Sequence, residues 1–429
     1  MKSLIQMQKN QYQKMNSRNP AFLLAYFCKM LCYNGKNGGY TMNQFNFHIP
    51  TQIKFGEGAM DHIPSLLSVY GKNVLLVYGG GSIKKNGIYD EVIDLLSSFH
   101  VVELGGVNPN PRIESVREGA KLCREHSIDV ILSVGGGSCI DCSKAISAAA
   151  YYEGDAWDLV LDATKITKAL PIVTVLTLSA TGSEMNNSGV ITNFATNEKL
   201  GFGNPLLYPK VSILDPCNTF TVPKNQTAAG CADILSHLFE QYFNVTQGAM
   251  VQEELAHGLM RTAIHYGPIA LQNPNDYEAR ANLMWAATLS LNGLVGAGFG
   301  KSWSCHPMEH VLSAYYDITH GTGLAILTPK WMRYIQDDMT RSRFVLYGTS
   351  VWGINPTLPE KDIVEQAIQA TEHFLYDELG LPSTLREVGI DDRKLEEMAQ
   401  AAVDSKGGKI KGFKLLEKED VYNIYKMCL

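Results

Sequence analysis

Two apolar, β-branched runs in the first half of the chain end in the same tetrapeptide, Gly-Gly-Gly-Ser, and each is followed by helical periodicity. Asn73-Val-Leu-Leu-Val-Tyr78 leads into Gly79-Gly-Gly-Ser82 and a helical pattern from Ile83 to Ser98. Asp129-Val-Ile-Leu-Ser-Val134 leads into Gly135-Gly-Gly-Ser138 and a helix through Asp141, Lys144 and Ala148. Such runs read as buried parallel strands, and strand-turn-helix alternation builds a parallel sheet covered by helices. The turns also suggest a ligand. Glycines without Cβ let an anion approach the main chain where backbone N–H groups and the positive end of a helix meet it, so two such turns point to the pyrophosphate of a dinucleotide. A third loop after Pro171-Ile-Val-Thr-Val175, Leu176-Thr-Leu-Ser-Ala-Thr-Gly-Ser-Glu184, is rich in hydroxyls that suit ribose or amide groups.

The alternation runs to Lys210-Val-Ser-Ile-Leu-Asp215, read as a late strand. Beyond Pro223, helical periodicity dominates, over 226–244, 252–265, 277–294 and 362–378. The expected fold is a Rossmann-like α/β parallel-sheet domain over 42–223 followed by an all-α domain over 224–429, with a ligand cleft between them.

The helical half carries a second constellation. Asp233 and His237, at i and i+4 in Ala228-Ala-Gly-Cys-Ala-Asp-Ile-Leu-Ser-His-Leu-Phe-Glu240, project from one helix face and can present an oxygen and a nitrogen to one ion. Further ligands come from His306 and His310, again i and i+4, and from His320. Spacing alone leaves open which of these three coordinates. Imidazoles with one carboxylate suit Fe2+ or Zn2+ better than Mg2+ or Ca2+. His257 and His265 are read as packing histidines outside the site.

The segments Gly79-Gly-Gly-Ser82, Gly135-Gly-Gly-Ser-Cys-Ile-Asp141, Ala180-Thr-Gly-Ser-Glu184, Ala232-Asp-Ile-Leu-Ser-His237 and Cys305-His-Pro-Met-Glu-His-Val-Leu-Ser-Ala-Tyr-Tyr-Asp-Ile-Thr-His-Gly321, in this order, resemble the iron-containing (group III) alcohol dehydrogenases, most of all the bacterial butanol dehydrogenases. The resemblance implies a dehydroquinate synthase-like two-domain architecture and a homodimer. It also implies Asp233, His237, His306 and His320 as metal ligands, with His310 near the nicotinamide. Gly79, Gly80, Gly81, Ser82, Gly135, Gly136, Gly137, Ser138 and Asp141 would hold diphosphate and ribose, with Thr177, Thr181 and Lys199 as further cofactor contacts. The implied reaction is reversible hydride transfer between a small alcohol or aldehyde and a nicotinamide, assisted by Fe2+ or Zn2+ acting as a Lewis acid. His310 would relay the proton, so His310→Ala is expected to lose turnover while retaining metal.

The first turn, Gly79-Gly-Gly-Ser-Ile-Lys-Lys85, has no acid to repel a 2′-phosphate and offers two cations. NADP(H) is therefore favoured, with NAD(H) as the alternative. Leu294, Phe299, Trp303 and Tyr315 are expected to flank the histidines, which suits an uncharged aliphatic substrate. Alternatives are a glycerol dehydrogenase, a dehydroquinate synthase-like lyase needing cations for a polyanionic substrate, or a metal- and nucleotide-binding sensor without turnover.

A net charge of −6 gives no electrostatic footprint for nucleic acid. Residues 1–41 carry six Lys or Arg and no Asp or Glu; they are read as a leader or an upstream extension, and their apolar stretch 21–28 is too short to span a bilayer. Nine scattered cysteines suit reduced thiols in a cytoplasm, and the Cys139-x-x-Cys142 pair inside the second turn reads as structural.

Overall fold

The computed structural model describes residues 42–300 and 303–429; the basic segment 1–41 and its leader reading lie outside the described residues. The strands are β1 (Gln52–Phe55), β2 (Asn73–Gly79), β3 (His100–Val107), β4 (Val130–Gly135), β5 (Ile172–Leu176), β6 (Ser188–Asn193), β7 (Glu198–Gly203) and β8 (Val211–Leu214). Six of them form one parallel sheet in the order β1-β8-β5-β4-β2-β3, while β6 and β7 form a separate antiparallel hairpin.

Successive residues of β2 enter opposite cores. Val74 and Leu76 pack with Val130, Leu132, Val173 and Val175 on one face, and Leu75 and Val77 pack with Ile131 and the helix Gly137–Ala149 on the other. Period-two alternation with both faces covered is why these strands read as unbroken apolar runs.

From β2 the chain moves outward to β3, then returns to place β4 on the other side of β2. The connections leaving β2 and β4 therefore diverge, which opens a crevice at the carboxyl ends of those two strands. Both Gly-Gly-Gly-Ser turns lie there.

After Leu214 the described residues are helical, apart from one isolated bridge between Ile410 and Leu416. The central helix Lys224–Tyr242 is buried at every position from Thr227 onward, because Met250–Gln272, Tyr277–Ser290 and His320–Ile335 pack around it. Helices Cys305–Tyr316, Leu395–Asp404 and Lys418–Met427 complete the part of this layer nearest the histidines. No helix among the described residues is long and apolar enough to cross a membrane.

Two local features differ from the expected pattern. The helix expected from Ile83 to Ser98 is two pieces, Ser82–Lys85 and Ile88–Leu95, divided at Asn86-Gly87 because Gly87 takes a left-handed φ of 86° that ends one helix and starts the next. The β6–β7 hairpin interrupts the expected alternation of strand and helix.

Candidate metal and nucleotide site

The central helix brings Asp233 and His237 to one buried face, where the Nε2 of His237 lies 3.6 Å from Asp233 Oδ1. The first turn of Cys305–Tyr316 adds His306, whose Nε2 is 4.0 Å from the same oxygen, and the start of His320–Ile335 adds His320, with Nε2 at 3.7 Å. Three imidazole nitrogens therefore surround one carboxylate oxygen. Asp233 Oδ1 and His306 Nε2 are both buried without a hydrogen-bond partner among the described residues. Ligand bonds of about 2.0–2.2 Å put tetrahedral neighbours about 3.3–3.6 Å apart, and the three nitrogens stand 3.6–4.0 Å from Asp233 Oδ1, close to that spacing.

The alternatives left open by spacing separate here. Ligand atoms of Asp233, His306 and His320 lie within 4.8 Å of one another, and His237 stacks on His306 with ring centroids 4.8 Å apart. His310 stands off, its ring 6.2 Å from His306 and 5.6 Å from His320. It falls in a second group with Glu309 and His320, but the Lys199 ammonium 3.3 Å from Glu309 Oε2 opposes a cation there. Burial lowers the His237 imidazole to about 3, so this ring stays neutral and ligand-competent. Burial first, then Lys199, holds half-buried His310 well below its ordinary value.

Two glutamates that sequence reasoning missed complete the cluster. Glu240, one turn beyond His237, caps the helix Cys305–Tyr316: its Oε2 accepts from Ser304 N at 2.5 Å and its Oε1 from His306 N at 2.8 Å. The same Oε1 accepts from His306 Nδ1 at 3.2 Å. Glu309 is fully buried and bonds His320 Nδ1, Ser313 Oγ and Lys199 Nζ. Burial alone would raise its pKa, yet His320 and Lys199 hold it down at about 2. The signal for Glu240 was its i+7 spacing from Asp233, on the same helix face.

The nucleotide candidates line the crevice. Gly80 and Gly81 have nothing within 4 Å of where a Cβ would stand, and Gly81 has a φ of 104°. Gly137 and Ser138 open the helix Gly137–Ala149 behind Gly136 as N-cap. A Cβ on Gly137 would lie 2.3 Å from Thr181 Oγ1, and Thr177 N donates to Gly135 O, so the second and third loops touch. Two candidates point elsewhere. Both carboxylate oxygens of Asp141 are occupied, by Ser183 Oγ at 2.5 Å and Val190 N at 2.9 Å. Lys199, on β7, reaches Asn110 Oδ1 at 2.9 Å as well as Glu309 and His320. Asn110, set between two prolines in the loop after β3 with a φ of 53°, was also missed.

Glycines join the two halves of the site. A Cβ on Gly230 would lie 2.4 Å from Ser179 O of the third loop, and one on Gly321 would lie 2.0 Å from Ala229 O. Only bare backbones can come this close.

Trp303 lies against His306 at 4.9 Å and His237 at 6.2 Å, and Phe299 is buried. Tyr315 turns away to bond Glu397 on the helix Leu395–Asp404, which removes it from the expected wall. Neither packing histidine joins the site. His257 bonds the Tyr242 hydroxyl at 3.0 Å while its i−4 neighbour Glu253 serves Arg343, and His265 is exposed. Cys139 and Cys142 are buried free thiols, with burial pushing Cys139 up to about 12.

Residues 50–216 match the family described as iron-containing alcohol dehydrogenase, and 227–429 match its C-terminal counterpart. The chain belongs to the iron-containing alcohol dehydrogenase family. It is 55% identical over 387 residues to NADH-dependent butanol dehydrogenase A of Clostridium acetobutylicum, covering 90% of this chain and 99% of that protein. It is 40% identical to NADPH-dependent aldehyde reductase YqhD of Escherichia coli, covering 83% and 94%. The crystal structure of NADH-dependent butanol dehydrogenase A from Thermotoga maritima superposes with a TM-score of 0.86 at 41% identity, covering 91% and 99% of the two chains.

Proposed function

We propose that this chain catalyses reversible hydride transfer between a small aliphatic alcohol or aldehyde, of the butanol and butanal kind, and a nicotinamide nucleotide, with a divalent cation held by Asp233, His237, His306 and His320. One observation carries the reading: three imidazole nitrogens lie within 4.0 Å of a buried carboxylate oxygen that has no hydrogen-bond partner among the described residues. When bound, the cation supplies Lewis acidity toward the substrate oxygen, and the nicotinamide supplies or takes the hydride.

The chain's own residues do the rest. Asp233 offsets the cation's charge, and Trp303 beside the histidines excludes water from the reacting atoms. His310, kept neutral by burial, accepts or returns the substrate proton. Gly79 to Ser82 and Gly135 to Ser138 offer backbone donors to the diphosphate, Thr177 and Thr181 border the nucleotide, and Lys199 couples β7 to His320. Asp141 acts by holding the hairpin at Val190. The division of labour follows the expected boundary near Pro223, with nucleotide to the sheet side and metal to the helical side.

Iron suits the donor set and the family; zinc suits the same donors. The acid-free first turn favours NADP(H), because nothing in it repels a 2′-phosphate. Relatives named for NADH and for NADPH both exist, so the turn is read as admitting NADH as well. A homodimer and a cytoplasmic setting belong to the same reading; the described cysteines are all free thiols, which suits a reducing compartment. A dehydroquinate synthase-like lyase is disfavoured because Lys199, a cation beside the histidines, is already paired with Glu309.

The test is an aldehyde panel assayed with NADPH and NADH after chelation and anaerobic restoration of Fe2+ or Zn2+ separately. Butanal reduction restored by metal, faster with NADPH, is expected. Nucleotide binding without metal-dependent turnover would replace the enzyme with a sensor, and a strong NADH preference would reverse the nucleotide assignment.

A further inference from the structure

We propose that Glu309 is a positioning residue that sets the tautomer of His320, and that it is required because Lys199 would otherwise impose the opposite one. The proposal rests on the metal-binding reading above.

Two groups with opposite demands meet His320 Nδ1. Glu309 Oε2 can only accept a proton there, whereas Lys199 Nζ, 3.3 Å from the same nitrogen, can only donate. Nδ1 cannot satisfy both. The carboxylate is fully buried, bonds His320 Nδ1 directly and also accepts from Lys199 Nζ and Ser313 Oγ, so it is the acceptor for an Nδ1–H hydrogen bond. Lys199 is left with Asn110 Oδ1 at 2.9 Å and Glu309 Oε2 at 3.3 Å. A proton on Nδ1 leaves the Nε2 lone pair bare and aimed at the point it shares with Asp233 Oδ1. Without the Glu309 acceptor, Lys199 donates to Nδ1 and the ring proton moves to Nε2. There it bonds Asp233 Oδ1, which ties up two metal ligands at once.

Glu240 plays the corresponding part for His306, where no lysine or arginine among the described residues hydrogen-bonds Nδ1 and the Glu240 carboxylate is also spent on two backbone N–H groups. His237 has no such partner, its Nδ1 being unsatisfied among the described residues. His320 is therefore the ligand whose competence depends on a balance of two neighbours.

The experiment reads metal affinity and tautomer rather than turnover. Zn2+ dissociation constants are measured by chelator competition for the wild type, Glu309→Gln, Glu309→Leu and Glu309→Leu with Lys199→Met, each checked by circular dichroism. Loss of an outer hydrogen-bond partner typically weakens metal binding by about 10–100-fold. Glu309→Leu is expected to fall in that range, Glu309→Gln to stay near wild type because its amide oxygen still accepts, and the double variant to recover most of the loss. A double variant no better than Glu309→Leu overturns the role given to Lys199. Nitrogen-15 shifts of the metal-free wild type supply a readout independent of variant folding: a proton on His320 Nδ1 supports the proposal, and one on Nε2 overturns it. A wild type that binds no Zn2+ removes the metal-binding reading itself; a wild type that binds it while Glu309→Leu binds equally well removes only this inference.

Discussion

Burial decides the protonation of two histidines in the helical half, and only one of them faces the Asp233 carboxylate. His237 and His257 are both lowered to about 3, with burial the largest cause in each. In an unfolded chain each titrates near 6.5. The folded state therefore binds fewer protons, so this stability is fully present above pH 6.5 and declines as pH falls toward 3. Each histidine contributes a slope of up to about 1.4 kcal/mol per pH unit in that window. Urea unfolding of the metal-free protein between pH 7 and pH 4 is expected to show this decline, with a shallower slope in His257→Gln; an unchanged slope would mean that His257 is not held neutral. At this scale the sequence was partly legible. Asp233 and His237 advertised themselves by helical spacing, but Glu240 and Glu309 look like ordinary charged residues until packing removes them from water.

Glycine sets how closely the elements approach. The start of the helix His320–Ile335 reaches the central helix at Gly321, where a Cβ would meet Ala229 O at 2.0 Å. Ala229 precedes Asp233 by one turn, so the close approach is what brings His320 to the carboxylate. Gly321→Ala is expected to push the helices apart, costing about 1–3 kcal/mol by overpacking and weakening Zn2+ binding in parallel, measured by urea unfolding and chelator competition. Lost stability with unchanged metal affinity would separate the two. Element types were mostly readable from periodicity. The β6–β7 hairpin was not, because Gly189, Gly201 and Gly203 dilute its strand propensity, and the two-piece helix after β2 was hidden by a continuous apolar period across Gly87.

The two Gly-Gly-Gly-Ser turns and the histidine cluster belong to different architectures, a sheet edge and a helix face, that meet through the third loop at Gly230. Each is held by its own core. Chelating the metal is therefore expected to abolish butanal reduction while leaving NADPH binding within a fewfold of the untreated protein, as read by fluorescence titration. Loss of nucleotide binding on chelation would show that the metal organises the crevice as well.

Sequence alone determined the parallel sheet, the two glycine turns, the helical second half and the residue types able to hold a cation. These follow from periodicity and backbone sterics, which act within a few residues. Tertiary structure decided which histidines converge, that Asp141 and Lys199 spend their charges within the protein, and that Glu240 and Glu309 hold the His306 and His320 rings. Those outcomes depend on desolvation and on contacts between segments far apart in the chain, and no local pattern encodes them.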